Sequence, residues 1–140
     1  MMKTILLAAA CAAMALGTWG AAQDLRAGQE TYTRYCAACH GGNAQGNGPM
    51  VAVLLVQPTD LSALSARNDG VFPLDRVVKR IDGRDPLVSH GSEMPVYGNF
   101  FEGREVELKT DDGRRVLASQ AVADLVAYLK SMQAHEETGE

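Results

Sequence analysis

Cysteine is scarce in this chain: 140 residues hold three, at positions 11, 36 and 39. So few cannot build a disulfide framework. There is no Gly-x-Ser-x-Gly turn and no second Cys-x-x-Cys pair. That removes a hydrolase nucleophile elbow and a four-cysteine zinc site from consideration. Positive charge is not concentrated either. Arg76, Lys79, Arg80 and Arg84 form the one local gathering, with Asp75, Asp82 and Asp85 among them. Such mixing reads as a solvated helix face, and no patch is dense enough for a nucleic-acid partner. No internal repeat and no low-complexity segment occurs. The apolar stretch from Thr4 to Leu16 is too short and too poorly flanked for a membrane-spanning helix.

That stretch has another reading. Met1-Met2-Lys3 is a short basic start, the following residues are apolar and alanine-rich, and Gly20-Ala21-Ala22 offers small residues for cleavage before Gln23. Residues 1–22 are expected to be a secretory signal peptide, removed on export, with an uncleaved amphipathic anchor as the alternative. A lipoprotein would need leucine three residues before Cys11, and Ala8 stands there, so Cys11 is expected to leave with the leader. Residues 23–140 then form a single domain of ordinary size, with no membrane span. Losing Lys3 moves the net charge from −4 to −5.

Two cysteines remain, and both belong to Cys36-Ala37-Ala38-Cys39-His40. Two thiols three residues apart, followed at once by histidine, form the attachment signature of a c-type haem. Each thiol adds to one vinyl group of the porphyrin, so both sulfurs must project from one turn of backbone. The histidine then lies beneath the ring as the proximal iron ligand. Cys-x-x-Cys alone also serves thioredoxin-like and zinc proteins, but here a second ligand pair and a βαβ pattern are missing. In an oxidising compartment a bare pair would tend to close on itself, and thioether attachment prevents that.

The rest of the chain reads as short helices and loops. Asp24 can cap a first helix to about Tyr35, with Leu25, Gly28, Tyr32 and Tyr35 on one face. Gly41-Gly42-Asn43 and Gly46-Asn47-Gly48-Pro49 are loop signals. Met50 to Val56 fits a helical turn or a strand. Thr59 or Asp60 could cap a short helix through about Ala66, and Asn68-Asp69-Gly70 is a turn. Pro73 suits the first turn of a further helix, which Gly83 would stop. Arg84 to Gly98 reads as loop. Val106 and Leu108 alternate with charged residues, Asp111-Asp112-Gly113 is a turn, and Arg115 to Ala118 can return, giving a hairpin near 104–118. An isolated hairpin is barely stable, so this one is expected to be an ornament. Ser119 can cap a last helix, about 120–132, with Val122, Leu125, Val126 and Leu129 as its apolar stripe. Residues 133–140 read as a frayed, acidic tail in which His135 is solvated.

The open position is the sixth iron ligand. Met94 is the choice: it stands in a late loop, and Pro95 stiffens that loop against opening of a weak thioether–iron bond. Met50 follows the proximal loop too closely, and Met132 ends the last helix. His90, four residues earlier in the same loop, is the rival and would give bis-histidine ligation. The second ring nitrogen of His40 also needs a partner, for which the carbonyl of Pro49 is a candidate.

At this point the chain resembles bacterial class I c-type cytochromes. The motifs are the early CxxCH, the Gly-Pro loop after it, Met94-Pro95 in a late loop and a final amphipathic helix with an aromatic; together they span about residues 24–132. The resemblance implies a small all-α domain wrapped around one covalently attached haem c. It also implies tightly crossing first and last helices, with Gly28, Tyr32 and Tyr128 at the contact. The stretch from Phe100 to Ser119 departs from compact members, in which the methionine loop passes more directly to the last helix. The implied function is periplasmic electron transfer, not enzymatic turnover: His40 and Met94 fill both axial positions and iron cycles between Fe(II) and Fe(III). Its partners would be redox proteins, a donor and an acceptor, and it could be a diffusing carrier or a subunit of an oxidoreductase complex. The alternative is a haem subunit with a labile distal ligand that binds or senses gas. The cytochromes c-prime do this, but carry CxxCH near the C-terminus.

Overall fold

The computed structural model describes residues 23–84, 93–97 and 100–133. The expected leader, His90, and the tail from residue 134 lie outside the described residues. Among the described residues are four α-helices, α1 (Leu25–Tyr35), α2 (Ala37–His40), α3 (Leu74–Asp82) and α4 (Gln120–Ser131), with one antiparallel hairpin, β1 (Glu105–Lys109) and β2 (Arg115–Ser119), between α3 and α4. The domain is therefore mostly helical but not all-α, which corrects the expected class.

The start of α1 follows from Asp24. Its carboxylate accepts from the backbone N–H groups of Arg26 at 2.9 Å and Ala27 at 3.1 Å, two of the donors a helix N-terminus leaves unpaired. Gly28 and Tyr32 are buried as the periodicity requires, Tyr35 is half-buried, and Leu25 is exposed instead. Gly28 is where α1 crosses α4. A Cβ built there would lie 2.1 Å from the Asp124 carbonyl oxygen and 3.0 Å from the Tyr128 Cβ. The rings of Tyr32 and Tyr128 meet one turn further on, 5.4 Å apart.

The expected stripe of α4 is buried, and so are Ala123, Asp124 and Ala127. A helix covered nearly all round has neighbours on more than one side. Here α1 takes one side, and α3 and the hairpin take others. Buried Asp124 is satisfied: its Oδ1 accepts from the Asp24 backbone N–H and the Gln120 side-chain amide, each at 2.8 Å. One carboxylate thus ties the first described turn of the chain to its last helix.

The hairpin register pairs Val106 with Ala118 and Leu108 with Val116. Leu108, Val116 and Ala118 are buried and join the common core. The hairpin is thus a working wall of the core, correcting its reading as ornament. It is stable here because one face is covered by helices.

Helix α3 begins after Pro73, buries Leu74, Val78 and Ile81, and ends at Gly83 in the left-handed conformation, φ +81°. Of the two readings of 50–56, the helical turn holds: Pro49–Val53 is a 3-10 helix. The short α-helix expected from Thr59 or Asp60 to Ala66 does not form. Its backbone is drawn elsewhere. Leu61 N–H donates to the Ala44 carbonyl at 2.6 Å, and the Asp60 carboxylate accepts from Ser62 N–H, closing a turn. A 3-10 turn at Ala66–Asn68 follows. Gln133, read as the first tail residue, is instead pinned. Its Oε1 accepts from Ser65 N–H at 2.9 Å, and its Nε2 donates to the carbonyls of Leu61 and Leu129, each at 2.8 Å. No helix among the described residues is long and apolar enough to cross a membrane.

Gly28→Ala tests the crossing. Alanine gains about 1 kcal/mol in helix propensity over glycine. Its methyl would overlap a backbone oxygen that α4 cannot move alone, and overpacking of this kind costs about 1–3 kcal/mol. The urea midpoint followed by circular dichroism should fall. A raised midpoint would mean the helices separate freely.

Candidate functional site

The attachment turn follows α1 with almost no break. The carbonyl of Tyr32 accepts from Cys36 N–H at 2.9 Å; the carbonyl of Cys36 accepts from Cys39 N–H at 3.1 Å and His40 N–H at 2.9 Å. Cys36 and Cys39 therefore sit on one short turn, as thioether formation to one porphyrin requires. Both are free, half-buried thiols. Before attachment, burial first and the neighbouring Cys39 second push the Cys36 thiol up to about 11.

The glycine-rich loop closes over this turn. Gly48 N–H donates to the Cys39 carbonyl at 3.0 Å and Gly46 N–H to the His40 carbonyl at 2.8 Å. These bonds satisfy carbonyls that a four-residue helix leaves open. Tyr32 Oη donates to the Gly41 carbonyl at 2.6 Å. Burial raises the Tyr32 hydroxyl well above the usual phenol range, so it remains a neutral donor.

His40 is buried, and its Nδ1 lies 2.9 Å from the Thr59 carbonyl oxygen. This corrects the expectation for Pro49, whose place is the first position of the 3-10 helix. The consequence is chemical. A carbonyl has no proton to give, so Nδ1 must carry the hydrogen, and in a neutral imidazole Nε2 then offers its lone pair. That is the form a metal takes, with the other nitrogen already oriented. The two thiols, the turn geometry and this tautomer fit a covalently held haem. Among the described residues no three or more His, Cys, Asp or Glu side chains gather as a metal site, so the zinc reading lacks donors there.

Met94 is half-buried and packs against the same core cluster as Cys36. The segment 93–97 is held against two helix ends. Tyr97 N–H donates to the Ile81 carbonyl at 2.8 Å, and Tyr97 Oη donates to the Tyr35 carbonyl at 3.1 Å. The Tyr97 ring stacks on Phe101, centroids 5.3 Å apart, and Tyr35 meets Phe100 and Phe101 edge-on. Burial raises the Tyr97 hydroxyl above its ordinary value. Of the other methionines, Met50 is exposed and Met132 half-buried. Sequence reasoning did not find Thr59, Tyr97 or Asp124. Tyr97 had a signal, an aromatic three residues after Met94. A backbone carbonyl such as that of Thr59 has none.

The family model for Cytochrome c matches residues 25–133. No curated protein and no solved structure matches.

The attachment is open to direct measurement. Acid–acetone extraction of the haem-loaded protein should leave haem on the polypeptide, with the added mass on the peptide holding Cys36 and Cys39. Cys36→Ala should retain one thioether at most. Complete release of haem from the wild type would overturn the reading of this turn.

Proposed function

The chain belongs to the cytochrome c family, and from that premise we propose that it is a periplasmic electron-transfer protein whose haem iron is held by His40 and Met94. When bound, the haem supplies a one-electron Fe(II)/Fe(III) couple. The observation that carries the reading is the Thr59 carbonyl on His40 Nδ1, since it fixes the tautomer that leaves Nε2 bare. Cys36 and Cys39 would hold the haem through thioethers, and His40 would offer its Nε2 to the iron. Met94 closes the distal side, leaving no position for substrate or gas, which favours a carrier over an enzyme. Cys-x-x-Cys-His occurs once, so one haem is proposed. A sulfur ligand raises the potential of such iron.

The leader at 1–22 supports export, and hence the periplasm. The partners are a protein donor and a protein acceptor. The negative net charge favours a partner with a basic face.

The sixth ligand decides between carrier and gas-binding subunit. Oxidised wild type should show the weak near-infrared sulfur-to-iron band, and Met94→Ala should lose it, bind carbon monoxide readily and fall in reduction potential. His90→Ala should change none of these. A wild type without the band, in which His90→Ala opens the iron, would make the site bis-histidine. Fast carbon monoxide binding by the wild type would favour the gas-binding reading.

A further inference from the structure

Met94 is followed by Pro95, Val96 and Tyr97, and this segment is anchored at its far end. Two anchors are on the α3 side. Tyr97 N–H donates to the Ile81 carbonyl at 2.8 Å, one of those a helix C-terminus leaves open. Val96 packs against Gly83 so closely that a Cβ there would lie 2.3 Å from Val96 Cγ1. The third anchor reaches α1. Tyr97 Oη donates to the carbonyl of Tyr35, the last residue of α1, whose peptide continues into Cys36. One hydroxyl therefore joins the backbone that carries the attachment thiol to the loop that carries Met94. The ring arrives there in a fixed pose, stacked on Phe101 and edge-on to Tyr35 and Phe100.

We infer that Tyr97 is a positioning residue: its hydroxyl latches the Met94 loop to the end of α1 and holds the distal side of the site closed. This rests on Met94 being the distal ligand. A thioether–iron bond is weak, so its lifetime depends on how often the loop swings away. Pro95 removes one freedom of that loop, and the bonds at Tyr97 remove motion at its other end. Removing a hydroxyl from such a bond commonly changes an equilibrium by a factor of about five. Because the Tyr35 carbonyl can find water when the latch is gone, the fold itself should survive.

Tyr97→Phe in the haem-loaded protein keeps the ring and deletes the donor. Carbon monoxide binds ferrous iron only after Met94 leaves, so its rate reports loop opening. We expect that rate to rise about five-fold, with the near-infrared band retained and the urea midpoint nearly unchanged. Tyr97→Leu, which also loses the aromatic contacts, should raise it further. A lowered urea midpoint with a wild-type carbon monoxide rate would make Tyr97 merely structural and overturn the latch. An unchanged rate in both variants would do the same. If wild type lacks the near-infrared band, the ligand reading fails and the latch with it; if the band is present and the rate does not move, the latch alone fails.

Discussion

Everything at the candidate site depends on one contact, the carbonyl of Thr59 against Nδ1 of His40. A histidine free to choose its tautomer would present a lone pair from either nitrogen, and a protonated one would present none. The carbonyl settles the choice of tautomer without adding charge. Partners of this kind behind a metal-bound histidine are commonly worth 10–100-fold in affinity or activity, although one hydrogen bond is worth only about 1 kcal/mol. For the carbonyl to act so, residue 59 must not drift. Its neighbours are tied by Leu61 N–H to the Ala44 carbonyl, by the Asp60–Ser62 turn and by Gln133 from beyond the last helix. The segment that declined to become a helix is thus the one whose backbone is spent on the site.

The helices solve the complementary problem of bringing Cys36 to a fixed place. Helix α1 ends one residue before that thiol, and its path is set where Gly28 rests on the Asp124 carbonyl. Asp124 then grips the residue just before α1 through the Asp24 N–H. Helix α4, buried nearly all round, serves as the central post. The hairpin covers what would otherwise be its wet side, so the extra residues between the methionine segment and α4 thicken the core. Domains this small gain proportionally from each added wall.

Much of this was legible in the residues. Asp24 and Ser119 as caps, Gly83 as a stop and the hairpin carry local signals that the structure repeats, and the resemblance implied the crossing at Gly28, Tyr32 and Tyr128 that the structure also shows. The failures share a cause. Residues 59–66 had a capping signal and formed turns, because their N–H groups found distant partners in Ala44 and Gln133. Leu25 fitted the apolar face and stayed exposed. Pro49 was credited with a role that belongs to Thr59, since any residue's carbonyl can fill it and its side chain announces nothing. Tyr97 was passed over for a similar reason: its meaning lies in a hydrogen bond to a residue 62 positions away.

The proposed function requires iron held by one nitrogen and one sulfur of the chain, from His40 and Met94. X-ray absorption at the iron edge of the oxidised protein counts those donors directly. One sulfur is expected in the first coordination shell with nitrogens as the remaining ligands, and that sulfur should be lost in Met94→Ala. A shell of nitrogens alone, or an iron with an open position, would contradict it.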